Sequence, residues 1–296
     1  MSRTLLAATD FSVPARHALE RAAQLAASHP GARLTLAHVL SDSALGNLRR
    51  MLPGNTEAME AGLRAQAQEA LDELAAQLSA SHACSIDARL LQGAALTVLS
   101  ELAESESVDL LVMGTRGAHF VRELLLGSTT ERVLRKSRRP LLAVRQRPLS
   151  SYRRVLAAVD FSAHAAAAVN AANAWLPDAE FVLLHAFEVE LESTFRFAGI
   201  DDAKIHQYRI QAREAAQESM DEFVERLNVP AARMTRQFVH GVPALRILEQ
   251  EQTLDVDLVV MGKHGQSVME ELLLGSVTRH VLAHSSCDVF IAGQAD

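Results

Sequence analysis

Met113-Gly114-Thr115-Arg116-Gly117 is followed, nine residues later, by Gly127-Ser128-Thr129. The same spacing returns in Met261-Gly262-Lys263-His264-Gly265 and Gly275-Ser276-Val277. Each copy ends an apolar run, Val108 to Met113 and Val256 to Met261, with one Asp near its start. Such a run, rich in Val and Leu and closed by glycine, predicts a buried parallel strand. Glycines at the strand exit allow a turn with positive φ and let a ligand lie against the main chain. The third glycine, followed by Ser, stands where the next helix should begin, with several N–H groups lacking intrahelical partners. A phosphate chain is the natural guest of such a place.

Other residues could share that chemistry. Asp10 and Asp160 each close the first strand of a repeat, since Arg154 to Ser162 echoes Arg3 to Ser12 nearly letter for letter. A carboxylate there can accept hydrogen bonds from two ribose hydroxyls; the plainer reading is an acid near a helix N-terminus, worth about 0.3–1 kcal/mol. Ser128, with Glu131 three residues on, fits a capping box as well as a phosphate ligand. Arg116, Lys263 and His264 either touch phosphate or are solvated loop charges. His280 and His284 share a helix face at a spacing that could hold zinc, with no third ligand evident. His38 and His185 follow apolar strands and read as packed side chains. No Ser-His-Asp order or clustered carboxylate pair points to hydrolase chemistry.

Length and composition bound these readings. At 296 residues the chain predicts about two domains of roughly 100–200 residues each. An apolar share of 49% with 22% charged residues is an ordinary globular balance. No run reaches the ~18–20 uncharged apolar residues of a membrane helix. The start, Met1 to Leu6, enters a strand without a secretory pattern. Cys84 and Cys287 are the only cysteines, at unrelated positions in the repeat, so a reducing cytoplasm is the expected location. Residues 1–150 carry 17 Lys+Arg against 15 Asp+Glu, and 151–296 carry 12 against 21. That acidic balance disfavours a general nucleic-acid binder. The one basic cluster, Arg135 to Arg139, falls at a helix end, where it complements the dipole or docks a partner.

The elements that must position these residues alternate. In the first half the pattern predicts strands over 4–9, 34–40, 84–91, 108–113 and 141–145. Helices are expected from Pro14 to about Ser28, over 57–80 and 96–104, and from Ser128. Residues 41–56 form a long connection that could act as a lid. Arg147-Pro148-Leu149-Ser150-Ser151 is a short linker, dividing a domain over 1–147 from one over 152–296. In the second, strands are expected from 154, over 181–186, 234–239, 256–261 and 289–292. Helices are expected over 203–227, from Gly241-Val242-Pro243, and over 276–285. The 187–202 connection is acidic and carries Phe195 and Phe197. Strands alternating with helices call for a parallel sheet covered on both faces, with right-handed crossovers.

The pattern G-x2-G-x9-G-[S/T], twice, with Asp ending the first strand of each half, resembles the ATP-binding universal stress proteins of the tandem type. The resemblance covers nearly the whole chain. It implies an α/β fold of two Rossmann-like (adenine nucleotide alpha hydrolase-like) domains, each a five-stranded parallel sheet of order 3-2-1-4-5 with helices on both faces. Strands one and four then flank the point where the order reverses, the usual ligand crevice of open α/β sheets. The resemblance implies ATP as ligand, with Mg²⁺ as a candidate companion, and places Val39 and Ala186 at the adenine. It implies nucleotide contacts from Thr9, Asp10, Met113, Gly114, Arg116, Gly117, Gly127, Ser128 and Thr129. In the second half the matching set is Val159, Asp160, Met261, Gly262, His264, Gly265, Gly275, Ser276 and Val277. It also implies that the fifth strands pair the two halves into a pseudo-dimer inside the chain; a homodimer of chains is a further candidate.

The expected function is nucleotide-dependent regulation of a stress response, not fast catalysis. The alternatives are a slow ATPase, or one binding half beside a structural half that meets a partner or another ligand. The Walker A pattern is absent, as is G-x-G-x-x-G after the first strand.

Overall fold

The computed structural model describes residues 3–42, 46, 56–115, 128–189, 192–265 and 274–293. The chain forms two compact units, Met1–Ser151 and Tyr152–Asp296. Among the described residues, no helix is long and apolar enough to cross a membrane.

The first unit runs β1 (Thr4–Thr9), α1 (Val13–Ala27), β2 (Arg33–Leu40), α2 (Thr56–His82), β3 (Ile86–Gln92), α3 (Ala95–Ser105), β4 (Leu110–Gly114), α4 (Ser128–Lys136) and β5 (Leu141–Val144). Its strands are parallel in the order β3-β2-β1-β4-β5. Leu5, Leu6 and Ala7 of β1 pair with Leu110, Leu111 and Val112 of β4. Leu110 to Val112 and Leu141 to Val144 are almost wholly buried, as strands covered on both faces must be. Val108 and Asp109, expected inside β4, precede it. The Asp109 carboxylate accepts from the Thr4 backbone N–H at 2.8 Å and its hydroxyl at 3.1 Å, so it ties the strand starts together before the ladder begins.

The second unit repeats the plan: β6 (Arg154–Ala158), α5 (Ala163–Trp175), β7 (Glu180–Phe187), α6 (Glu192–Phe197), α7 (Asp202–Val224), β8 (Met234–His240), α8 (Pro243–Thr253), β9 (Leu258–Gly262), α9 (Ser276–His284) and β10 (Asp288–Ala292). The order is β8-β7-β6-β9-β10, the same 3-2-1-4-5 arrangement. Asp257 accepts from the Arg153 and Arg154 N–H groups, matching Asp109. The 187–202 connection contains a short helix, α6, where the sequence reading expected only a link. The Glu192 carboxylate holds it to the fold, meeting Arg209 and lying 2.9 Å from His240 Nε2.

Helices α1 and α5 pack against the central strands of their units. Their buried faces are mainly alanine, with Ala18, Ala22 and Ala23 in α1 and Ala165, Ala168 and Ala172 in α5. Small side chains let these helices approach the strand ends closely. On the opposite face of the second sheet, Leu156, Leu184, Ile247, Val259, Met261 and Val281 form one apolar cluster.

Candidate functional site

Each crevice begins with a turn at the exit of the first strand. Phe161 has φ +65°, and Phe11 has φ +63°, a region that bulky L-residues rarely adopt. This reversal places Ser162 at the N-cap of α5, where its Oγ accepts from the Ala165 N–H at 3.1 Å; Ser12 caps α1 likewise. Asp160 sits between strand and cap. Its Oδ1 accepts from the Ser162 N–H at 3.1 Å and hydroxyl at 2.6 Å, an Asx-type turn that fixes the carboxylate. Asp10 accepts from the Ser12 N–H at 3.1 Å. The Thr9 hydroxyl accepts from the Phe11 N–H at 3.0 Å, an interaction Val159 lacks the oxygen to make.

The glycines work through close approach rather than positive φ. Among the described residues, positive φ occurs at Gly31, Gly93, Gly199 and Gly241, and not at Gly114, Gly262, Gly265 or Gly275. A Cβ on Gly114 would stand 2.9 Å from the Pro14 carbonyl oxygen, and one on Gly262 would stand 3.1 Å from Ala165 N. These two glycines bring the helix that follows the first strand onto the end of the fourth. A Cβ on Gly265 would meet Asp160 Oδ2 at 2.9 Å. Gly275 is the N-cap of α9 and has no side-chain cap, so the first N–H groups of that helix face outward along its axis.

Ser276 stands at the first helical position and not on the cap. Helix α4 also starts at Ser128 itself, and the expected capping box falls on a side chain outside the described residues. The Glu131 carboxylate accepts from Arg135, at 2.7 Å. The basic cluster after α4 is tied to acids too, with Arg139 Nε 3.0 Å from Glu104.

In the second unit these parts enclose a cavity of about 250 Å³, near the lower end of ordinary ligand pockets. Val159, Asp160, Ala186, Met261, Gly262, His264, Gly265, Gly275, Ser276 and Val277 all line it. Ala158, Leu184, His185, Pro243, Ile247 and Thr278 complete the wall. Lys263 is buried but is not on this wall; the Gly275 N–H donates to its carbonyl at 3.1 Å, closing the loop on the helix start. His264 is buried on the wall, its ring edge-on to His164 with centroids 5.3 Å apart.

In the first unit Thr9, Asp10 and Gly114 stand at the matching strand ends, with Met113 buried and Val39 half-buried in β2. Thr129 is exposed in the first turn of α4. Arg116, Gly117 and Gly127 lie outside the described residues, as does the side chain of Ser128.

Two features escaped the sequence reading. The Thr130 hydroxyl donates to the Gly114 carbonyl at 2.8 Å, and Thr278 to that of Gly262 at 2.9 Å. Both threonines are buried and join the helix start to the strand end. A Thr three residues after each third glycine was the available signal. Pro243 and Ile247 of α8 were missed because nothing in their own stretch shows which helix closes the crevice.

The histidines divide by surroundings. His38 and His185 place Nδ1 at 2.8 and 2.9 Å from the carbonyls of Thr9 and Val159. Burial pushes the His185 pKa down, against the opposing pull of that bond and the Asp160 charge. His280 and His284 stack at 4.3 Å, with His284 Nδ1 on the His280 carbonyl. Among the described residues, no group of three His, Cys, Asp or Glu side chains is placed to hold a metal ion. Cys84 and Cys287 are buried free thiols.

The universal stress protein family model matches residues 1–145 and 151–293. The chain is similar to a universal stress protein of Mycobacterium tuberculosis, 28% identical over 224 residues, covering 72% of this chain and 67% of the relative. It is 33% identical over 141 residues to universal stress protein A homolog 1 of Coxiella burnetii, covering 47% of this chain and 94% of that protein. A solved universal stress protein from Archaeoglobus fulgidus matches with a TM-score of 0.73, 20% identity and 100% of both chains covered. At that identity the likeness concerns the fold.

Proposed function

This chain belongs to the universal stress protein family, and on that premise we propose that each unit is an adenine-nucleotide-binding module whose ligand is ATP. The observation that carries this reading is convergence. Ten residues from the exits of β6, β7 and β9 and the start of α9 line a single cavity. They are the types a nucleotide needs, in the order a nucleotide needs them. Asp160 accepts the ribose hydroxyls, and Ala186 lies against the base with Pro243 and Ile247 opposite. Gly265 leaves the main chain open to the phosphates, while Gly262 lets α5 pack onto the strand end beside them. The start of α9, capped by Gly275, receives the distal phosphates by the first helical N–H groups, at Ser276 and Val277, and by its dipole. His264 adds a polar edge to that end.

The fit is supported by the space above Gly265, which any Cβ would take from the carboxylate. In the first unit Asp10, Val39, Met113 and Gly114 hold the corresponding places, with Thr9, Arg116, Gly117, Gly127, Ser128 and Thr129 completing the set. Mg²⁺, where it accompanies the nucleotide, is held chiefly by the phosphates.

The module binds rather than turns over. Among the described residues, Asp160 is the one carboxylate on the wall, and no second acid stands beside it there to activate water or fix a metal pair. Occupancy, not hydrolysis, is then the signal. A micromolar site needs about 8 kcal/mol, within reach of several main-chain N–H groups and a purine slot.

The test is nucleotide content and titration. The purified chain, extracted and resolved by anion exchange, is expected to yield ATP, and the emptied chain to take up two per chain. Absence of uptake at millimolar ATP overturns the reading, and turnover of several per second overturns its regulatory half.

A further inference from the structure

His185, on the wall of the second crevice, and His38, at the matching place in β2, share one arrangement. His185 Nδ1 is 2.9 Å from the Val159 carbonyl oxygen, and His38 Nδ1 is 2.8 Å from that of Thr9. A carbonyl oxygen can only accept, so Nδ1 carries the proton in both rings. Each ring also packs against the phenylalanine two residues beyond that carbonyl. Phe161 stacks on His185 at 4.2 Å and 26°, and Phe11 tilts over His38 at 4.4 Å and 42°. Both phenylalanines hold the strained positive φ described above, which persists only where neighbours over-determine it. Phe223 adds an edge contact to Phe161 in the second unit.

The carboxylate sits between these two points. Asp160 lies between a carbonyl tied to the imidazole and an aromatic ring stacked on it, and Asp10 lies between Thr9 and Phe11. We infer that His185 and His38 are positioning residues that aim the carboxylates of Asp160 and Asp10 at the ligand's ribose. The imidazole holds the main-chain carbonyl of the residue before the acid and the side-chain ring of the residue after it, so the acid's backbone cannot rotate without breaking a hydrogen bond or a ring contact. A histidine that only filled space would need neither a donor at Nδ1 nor the same two partners in both units. The inference rests on the nucleotide reading of the site and adds to it a group that acts through another residue.

The experiment compares ATP with 2′,3′-dideoxyATP, which lacks both ribose hydroxyls, on the full chain. Three paired variants are used: H38L/H185L, which loses the donor; H38N/H185N, which keeps an amide N–H near the Nδ1 position; and H38Q/H185Q, which moves it outward. The original chain is expected to favour ATP by ~10-fold or more, the factor of one good hydrogen bond to a charged group. The leucine and glutamine pairs should weaken ATP and bring that ratio towards one, while the asparagine pair restores most of it. A folding defect alone would weaken both nucleotides equally and leave the ratio intact. An unchanged ratio in the leucine pair overturns the inference, and should that pair not fold, the glutamine pair decides on the same criterion. Imidazole ¹⁵N spectra of the unmodified chain are expected to show the Nδ1–H tautomer at both rings, and the Nε2–H tautomer also overturns it. If the original chain binds neither nucleotide, the functional reading fails instead; if it binds both equally, the assignment of Asp160 to ribose fails, and the positioning role with it.

Discussion

A Cβ placed on Gly265 would stand 2.9 Å from Oδ2 of Asp160, although 105 residues separate the two in the chain. The second glycine of the loop and the acid at the exit of β6 therefore form one wall. The spacing of the glycines and the position of the acid, which look like separate features of the sequence, answer to the same few ångströms of space.

Gly265→Val should accordingly abolish binding in the second unit while leaving the first untouched. Isothermal titration is expected to fall from two ATP per chain to one. Because the contact is with the end of a side chain, the melting temperature without nucleotide should move little. A variant that still takes two equivalents would remove Gly265 from the site.

Gly114→Ala and Gly262→Ala should act on stability instead. The new methyl at Gly114 meets the Pro14 carbonyl at 2.9 Å, and that at Gly262 meets Ala165 N at 3.1 Å. Backbone cannot yield as a side chain can, so a cost of about 1–3 kcal/mol is expected for each, larger at Gly114. Urea unfolding measures both, and equal midpoints with the parent chain would contradict the close-approach argument.

Thr278→Val keeps the shape of the side chain and deletes the hydroxyl that donates to the Gly262 carbonyl. The buried carbonyl loses a partner, costing about 1–2 kcal/mol, and the start of α9 is no longer tied to β9. Nucleotide affinity should fall along with stability. A loss of stability with unchanged affinity would mean that the helix start holds its place without this bond.

Burial lowers the pKa of His185 below its ordinary value of 6.5. The unfolded chain therefore takes up a proton near that pH while the folded chain does not. Stability is full above about pH 6.5 and declines as pH falls through the window below it. Replacing His185 by Asn should reduce the slope of unfolding free energy against pH in that window, compared with the parent. An identical slope would show that the imidazole is as easily protonated in the fold as outside it.

Burial raises the pKa of both Cys84 and Cys287, with the Glu251 charge adding to the effect at Cys287. Thiolate is the reactive form, so neither should react with a thiol-specific disulfide reagent at pH 8 until the chain unfolds. Cys287, the more deeply buried, should lag behind Cys84 when denaturant is raised. Fast labelling of Cys287 in the native chain would contradict its packing.

Much was legible in the residue string because the repeat states it twice. Alternating apolar strands and amphipathic helices, two glycine loops at one spacing and an acid after each first strand imply parallel α/β units with a crevice at the strand exits. These are local patterns, and local sterics and periodicity decode them. Features set by contact between distant segments were not legible. The closing wall from Pro243 and Ile247, the ties from Thr130 and Thr278 to strand carbonyls, and the imidazoles behind Asp10 and Asp160 depend on which segments the sheet brings together. The role of Gly114 and Gly262 changed for the same reason. Glycine suggests unusual φ when read along the chain, but here the constraint is a helix backbone arriving from about 100 residues earlier. A pattern can announce that a ligand loop exists, whereas its walls are assembled from side chains whose proximity is a property of the folded sheet alone.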